Sequence, residues 1–467
     1  MYVVVLIAFV VALSLSQQPP LVAARWPVLP AVTVYLAGAV AVGAFKTALS
    51  LRAIGPGPDV PGRALRRHNL MNIAGQLWLV AGLAGVMLLG YGRWVLADLR
   101  LDYVPLIGKA VVLAPFVAAL LVSWRLEYPF YRALRGRIAR QQILLGETVR
   151  AGWNLREYFS YNLRHQLLFV AVPVGLIVLV IDIVQLSWPY LPEAAAEPIA
   201  LGVSGVWAAA VFLCAPLLIV RVWRTAPLPD GPLRDDLLAA CRQMRLKCRR
   251  LLVWLSGGMI ANAGVMGLIG RVRYVLLSDA LLEQMEQRQI KAIFAHEAGH
   301  IISHHLFYAM LFAVSAVTVC GAVGDAVAAS LAAEPWLAET VTVVLLLAGW
   351  GVGFGWLSRR FERQSDVIGA WASALEGPHP DGRVTPEGAA IFAGSLERVA
   401  VLNGIPTHQR NWRHGSIASR VDYILWLGST GGSREQIDRV VRRIKLALWA
   451  ATACAAAIVT VRLVTGW

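Results

Sequence analysis

The chain has 467 residues, 58% hydrophobic and only 15% charged, against about 25% charged in an ordinary soluble domain. A mean hydropathy of +0.61 excludes a soluble globular protein and describes a mainly α, polytopic membrane protein. Lys and Arg number 43 against 28 Asp and Glu, a net charge of +15. These cations lie in short runs between apolar segments rather than in one patch, so they point to the lipid bilayer as partner and not to nucleic acid.

A bilayer core of about 30 Å needs about 20 helical residues. On that scale nine spans are expected, near 1–17, 29–49, 70–92, 103–123, 165–186, 198–222, 307–330, 337–357 and 446–465. The first run, Met1 to Ser16, lacks a basic leader and a small-x-small cleavage site, so it is read as a retained helix rather than a signal peptide. Trp124, Trp188, Trp223 and Trp336 fall at span ends, where amphipathic rings prefer to sit. Cys214, Cys241, Cys248, Cys320 and Cys454 show no CxxC spacing and are read as free, buried thiols.

Loop charge orients the spans. Segment 46–67 carries five cations against Asp59, and segment 124–164 carries eight arginines against three glutamates, so both are expected in the cytoplasm. Segments 187–197 and 325–339 hold only acids and are expected on the other side. The N-terminus and residues 223–306 and 358–445 then become cytoplasmic, and the C-terminus lies opposite. The expected organisation is an amino-terminal membrane bundle (1–222, about six helices), a first catalytic part (223–306), a transmembrane hairpin (307–357), a second catalytic part (358–445) and a last span (446–467). The two catalytic parts can meet as a small α+β domain at the inner membrane face.

Within 223–306, the runs Leu251–Leu255, Met259–Met266 and Arg271–Leu277, punctuated by glycines, predict a small antiparallel sheet. Ser278 is read as the N-cap of the long helix that follows. Ile54–Gly62 reads as a linker. Gly428–Gly432 lacks the lysine of a phosphate loop and reads as a turn before a Ser433-x-x-Gln436 capping box.

The sharpest chemical signal is His296-Glu297-Ala298-Gly299-His300. Histidines at i and i+4 share one helical face and can reach a single zinc, while the intervening glutamate can act on a water. A hydrolytic zinc needs a third protein ligand. His304 lies on the same stripe, but on one helix its Cα would be about 12 Å from that of His296. A metzincin would need Gly at 303 and His at 306, where the chain has Ser303 and Leu306. Pro380-Asp381-Gly382 is a turn in a polar segment. There remains Phe361-Glu362-Arg363-Gln364-Ser365-Asp366: Glu362 can supply a carboxylate oxygen, and Asp366, one turn later, can accept from the outer N–H of a ligating histidine. His305 would point about 140° away from His300 on an ideal helix and is read as structural or supporting. His68, His165, His379 and His408 lack ligand spacing and read as interfacial or loop residues.

Over residues 250–425 the chain resembles the integral-membrane zinc metalloendopeptidases of gluzincin type that include the CAAX prenyl proteases and the bacterial heat-shock membrane endopeptidases. The resemblance is carried by Asn262-Ala263 in an expected edge strand, by His296-Glu297-x-x-His300 with His305 following, by a helical hairpin, by Ser358-Arg359-Arg360-Phe361-Glu362-x-x-x-Asp366, and by His414-Gly415-Ser416-x-x-x-Arg420. Gly415 stands where that family usually has proline, and Ser365 where it has alanine. The resemblance implies that His296, His300 and Glu362 hold one zinc per chain and that Glu297 is the general base. It also implies that His414 and Arg420 lie beside the substrate or the developing oxyanion, and that Asn262 and Ala263 bind substrate. The expected activity is hydrolysis of a peptide or membrane-protein substrate without a covalent intermediate. A membrane signal transducer or a scaffold using a zinc-protease-like unit is the alternative; short outer loops and the intact Glu297 argue against both.

Overall fold

The structure, a computed structural model, describes residues 2–16, 28–54, 62–144, 152–330 and 335–465. The expected linker falls, at 55–61, outside the described residues, as do residues 331–334 of the acidic segment 325–339. The chain divides into two compact units: residues 1–225 with 254–259, and residues 226–253 with 260–467.

The first unit is a helical bundle. Val28–Ala53, Leu65–Leu88, Ile107–Leu144, Leu155–Tyr190 and Ala196–Val222 are each long and apolar enough to cross a membrane, and with His305–Ser330 and Glu435–Val461 they make seven such helices among the described residues. The other two expected spans are the shorter apolar helix Val3–Leu15 and the helix Pro335–Ala348. The chain is an integral, multi-pass membrane protein. Its bundle core is built on Leu83, Met87, Phe116, Leu120 and Trp124. Trp124 is 1% exposed and lies inside a helix, so it is a core residue and not the interfacial ring expected of it. His68 is likewise buried rather than interfacial. Its Nε2 lies 3.1 Å from Glu127 Oε1, while Lys46 Nζ sits 3.2 Å from Glu127 Oε2 and 3.1 Å from Asn72 Oδ1. A carboxylate between helices is tolerated in an apolar bundle because both its oxygens are paired. Cys214 and Cys454 are exposed on apolar helices and only Cys241 is buried, against the expectation for all five; helix faces turned to lipid need no protein cover.

The second unit contains most of a small sheet and the helices packed on it. Strands β1 (Thr225–Pro227), β2 (Arg250–Trp254), β3 (Ala263–Met266) and β4 (Tyr274–Ser278) form a sheet in the order β1-β2-β4-β3. β3 is a terminal strand, paired antiparallel to β4 with Ala263 opposite Leu277 and Met266 opposite Tyr274. β1 is too short to have shown in the hydrophobic pattern. Ser278 does cap a helix, accepting from the Leu281 N–H, but that helix is the single turn and a half Asp279–Gln284. The HExxH helix starts afresh at Gln287, behind a Glu286–Gln289 capping box. Ser433 is no capping-box residue: its Oγ accepts from the Glu435 N–H, and the last helix runs Glu435–Thr465.

Ile290, Ile293, Phe294 and Ala298, one stripe of the HExxH helix, enter a core shared with Val275 and Leu277 of β4 and with Val367 and Ala370 of the helix Gly355–Ala372. That last helix continues the second hairpin arm through a π-helical stretch, Gly349–Phe354. Phe294 has no exposed surface. Replacing it by alanine should cost about 3–5 kcal/mol, measured as a lowered midpoint of thermal unfolding of the purified protein in detergent.

Candidate metal centre

Two helices make the centre. His296 and His300 project from Gln287–Ile302, and Glu362 and Asp366 from Gly355–Ala372. The helices approach closely because residue 299 is glycine: a Cβ there would lie 3.2 Å from Ser365 Cα and 3.3 Å from Ser365 Oγ. That contact sets Glu362 opposite the histidine pair.

The donor atoms converge. His296 Nε2 and His300 Nε2 are 3.3 Å apart, His296 Nε2 is 3.7 Å from Glu362 Oε2, and His300 Nε2 is 3.6 Å from Glu362 Oε1. Ligands about 2.0–2.2 Å from a tetrahedral zinc stand about 3.3–3.6 Å from one another, so the three side chains are spaced close to what such an ion needs. They are the group among the described residues whose atoms meet closely enough to hold a metal. Behind them, His296 Nδ1 lies 3.0 Å from Asp366 Oδ1, leaving Nε2 to face Glu362. Arg420, from the helix Ile417–Ser429, grips Asp366 through Nε (2.8 Å) and Nη2 (2.6 Å), and its Nη2 is 3.5 Å from Glu362 Oε2. His414 Nδ1 is 2.8 Å from Glu362 Oε1. Arg420 therefore holds the acid that orients His296, a role the residue pattern alone did not single out.

A cleft of about 530 Å³ opens onto this cluster. Asn262, Ala263, His296, Glu297, His300, Glu362, His414 and Arg420 all line it, while Asp366 sits behind the histidine it contacts. Asn262 immediately precedes β3; its N–H donates to Ser278 Oγ and its carbonyl accepts from the Ser278 N–H, both at 2.9 Å. Asn403 secures the same approach, accepting from the Ala261 N–H at 3.2 Å and donating to the Ala261 carbonyl at 2.8 Å. Sequence reasoning missed Asn403, which lies 142 residues away with no motif around it.

His305 is buried and does contact the cluster, its Nδ1 lying 3.0 Å from His300 Nδ1. The ideal-helix angle fails because the helix stops at Ile302 and a new one begins at His305, with His304 in the left-handed region at φ 56°.

The electrostatics follow from burial. Burial pushes the Glu297 carboxyl up to about 7, helped by the Glu362 charge and opposed by His296 and Arg420. Burial would also raise Glu362, but His414, His296, His300 and Arg420 together hold it well below the usual carboxylate range. For Asp366 burial is likewise outweighed, chiefly by Arg420. Burial and the neighbouring His296 lower His300 to about 4, so it presents a neutral imidazole suited to a metal.

Residues 229–385 match the family model described as peptidase family M48. The matched segment contains Asn262, the HExxH helix, Glu362 and Asp366; His414 and Arg420 lie beyond it. The crystal structure of S. mikatae Ste24p is similar with a TM-score of 0.48 and 13% identity, covering 87% of this chain and 100% of that one. No curated protein matches the chain by sequence.

Two outcomes follow from this geometry. Gly299→Val should push the two helices apart and cost about 1–3 kcal/mol, with a clear loss of bound metal by elemental analysis, whereas Gly299→Ala needs a shift of only a few tenths of an ångström. In metal-free protein, a Glu297 carboxyl that is raised on folding binds its proton more tightly in the folded state than in the unfolded one. Its ionisation therefore removes stability as pH rises from about 4.5 to about 7. Across that window wild type should lose about 1–3 kcal/mol relative to Glu297→Gln, read from unfolding midpoints at stepped pH.

Proposed function

We propose that the chain is a zinc-dependent endopeptidase of the membrane, cleaving a membrane-associated protein or peptide. The observation that supports this most directly is the convergence of His296, His300 and Glu362 at 3.3–3.7 Å beside Glu297 in one cleft. In this reading those three side chains hold one zinc, which when bound polarises a scissile carbonyl and makes a water acidic near neutral pH.

The chain's own groups supply the rest. Glu297, with a carboxyl raised to about 7, accepts a proton as carboxylate and returns it from the acid form to the leaving amine, the balance a general base near neutrality needs. Asp366 keeps the His296 hydrogen on Nδ1, and Arg420 keeps Asp366 ionised and in place. His414, with a side chain 41% exposed in the cleft, is positioned to reach a substrate oxygen. The terminal strand β3 offers an extended peptide backbone pairing along Ala263–Met266, with Asn262 at the entrance, so the peptide would add as a further strand. The charge pattern supports a cleft at the cytoplasmic face, with the N-terminus on that side and the C-terminus opposite. Residues 223–306 and 358–445 then act together as the catalytic domain, the hairpin 307–357 joins them, and 1–222 and 446–467 anchor it.

Glu297→Gln should retain one zinc per chain and lose about 10²–10⁴-fold in peptide cleavage. The check pairs zinc analysis with digestion of a mixed unmodified peptide library by detergent-purified protein. Wild type that holds zinc and cleaves no better than the variant would remove the assignment of Glu297.

A further inference from the structure

His296 is oriented by a carboxylate in direct contact, Asp366 at 3.0 Å. Among the described residues no carboxylate is paired with the outer nitrogen of His300, which meets a second imidazole instead: His300 Nδ1 and His305 Nδ1 are 3.0 Å apart. From there the contacts continue. His305 Nε2 is 2.8 Å from Gln364 Oε1, Gln364 Nε2 donates to Asp438 Oδ1 at 2.5 Å, and Asp438 Oδ2 accepts from Arg434 Nε at 3.0 Å. His305 is 3% and Gln364 6% exposed, and the Phe361 ring stacks on His305 at 4.1 Å, 7° from parallel.

This chain of contacts has one consistent direction. Asp438 accepts only, so the Gln364 amide must turn its NH₂ to it and its oxygen to His305. His305 must then carry its hydrogen on Nε2, leaving Nδ1 as an acceptor. His300 must in turn carry its hydrogen on Nδ1, which leaves the Nε2 lone pair facing His296 and Glu362. A neutral imidazole has one hydrogen, so each step fixes the next.

We propose that His305, Gln364 and Asp438 are positioning residues for His300, a relay that selects the tautomer able to bind a metal through Nε2. The proposal rests on the reading of His300 as a zinc ligand. The helix break makes it possible: Lys445 Nζ donates to the Ser303 carbonyl at 2.7 Å, closing the end of the HExxH helix, and His304 at φ 56° turns the chain so that His305 comes beneath His300. Asp438 and Lys445 both belong to the last helix, so that helix, otherwise a membrane anchor, is tied to the ligand geometry.

The direction of the relay gives it a test that a merely structural role would not pass. Zinc affinity is measured by chelator competition on the full chain in detergent, for wild type, Asp438→Asn, Asp438→Lys and Gln364→Leu. In Asp438→Asn the side-chain carbonyl can still accept from the Gln364 amide, and this variant should hold zinc within about 3-fold of wild type. In Asp438→Lys the new ammonium donates, turns the amide over and forces the hydrogen of His300 onto Nε2; zinc should weaken about 10–100-fold, the range for lost support of a ligand. Gln364→Leu breaks the relay and should weaken it similarly. The Asp438 side chain is 24% exposed, so both substitutions there are compatible with folding even if the leucine variant is not. Equal affinity in wild type and Asp438→Lys would overturn the relay while leaving the zinc site standing. Wild type that takes up no zinc would overturn the site and the relay together.

Discussion

The centre depends on one contact, the approach of the HExxH helix to the Glu362 helix across Gly299 and Ser365. The two histidines of the HExxH string are one helical turn apart and come together by local geometry alone. Glu362 is 62 residues beyond His300 with a hairpin between, and only tertiary packing can deliver it. Because residue 299 has no side chain, the two backbones approach until the carboxylate stands 3.6–3.7 Å from both imidazoles. The same packing buries Val367 and Ala370 against Phe294 and Ala298, so apolar burial holds together a set of charges that would not assemble unaided.

Much of this was legible in the sequence where the signal is periodic or local. The HExxH string, the ExxxD turn and the strands near 251–254, 263–266 and 274–277 rest on spacings of one helical turn or on the strand period of two, and the chain folds accordingly at each. The edge position of Ala263 also follows from the family resemblance. What was not legible depends on a break or on distance. An ideal helix sends His305 away from His300, yet one residue with positive φ, His304, reverses that outcome. Asn403, Gln364 and Asp438 carry no motif, and they matter because of partners reached across the fold. Trp124 and His68 were misplaced for a third reason: hydropathy locates a membrane helix along the chain but does not say which of its faces meets another helix.

The charges in the cleft point the same way as its distances. Glu297, Glu362 and Asp366 are three carboxyl groups in one enclosed cluster, and Arg420 is the fixed cation set against them. Burial pushes all three carboxyls up, and only at Glu297 do the neighbouring groups fail to outweigh it. Glu362 and Asp366 are held low by His414 and Arg420, and Glu297 alone is pushed up. Two of the acids are therefore held low and one is left close to neutrality, which suits the separate roles of ligand support and proton transfer proposed for them. Arg420 binds Asp366 through two nitrogens at 2.6–2.8 Å and stands 3.5 Å from Glu362 Oε2, so one guanidinium lowers the cost of burying both acids.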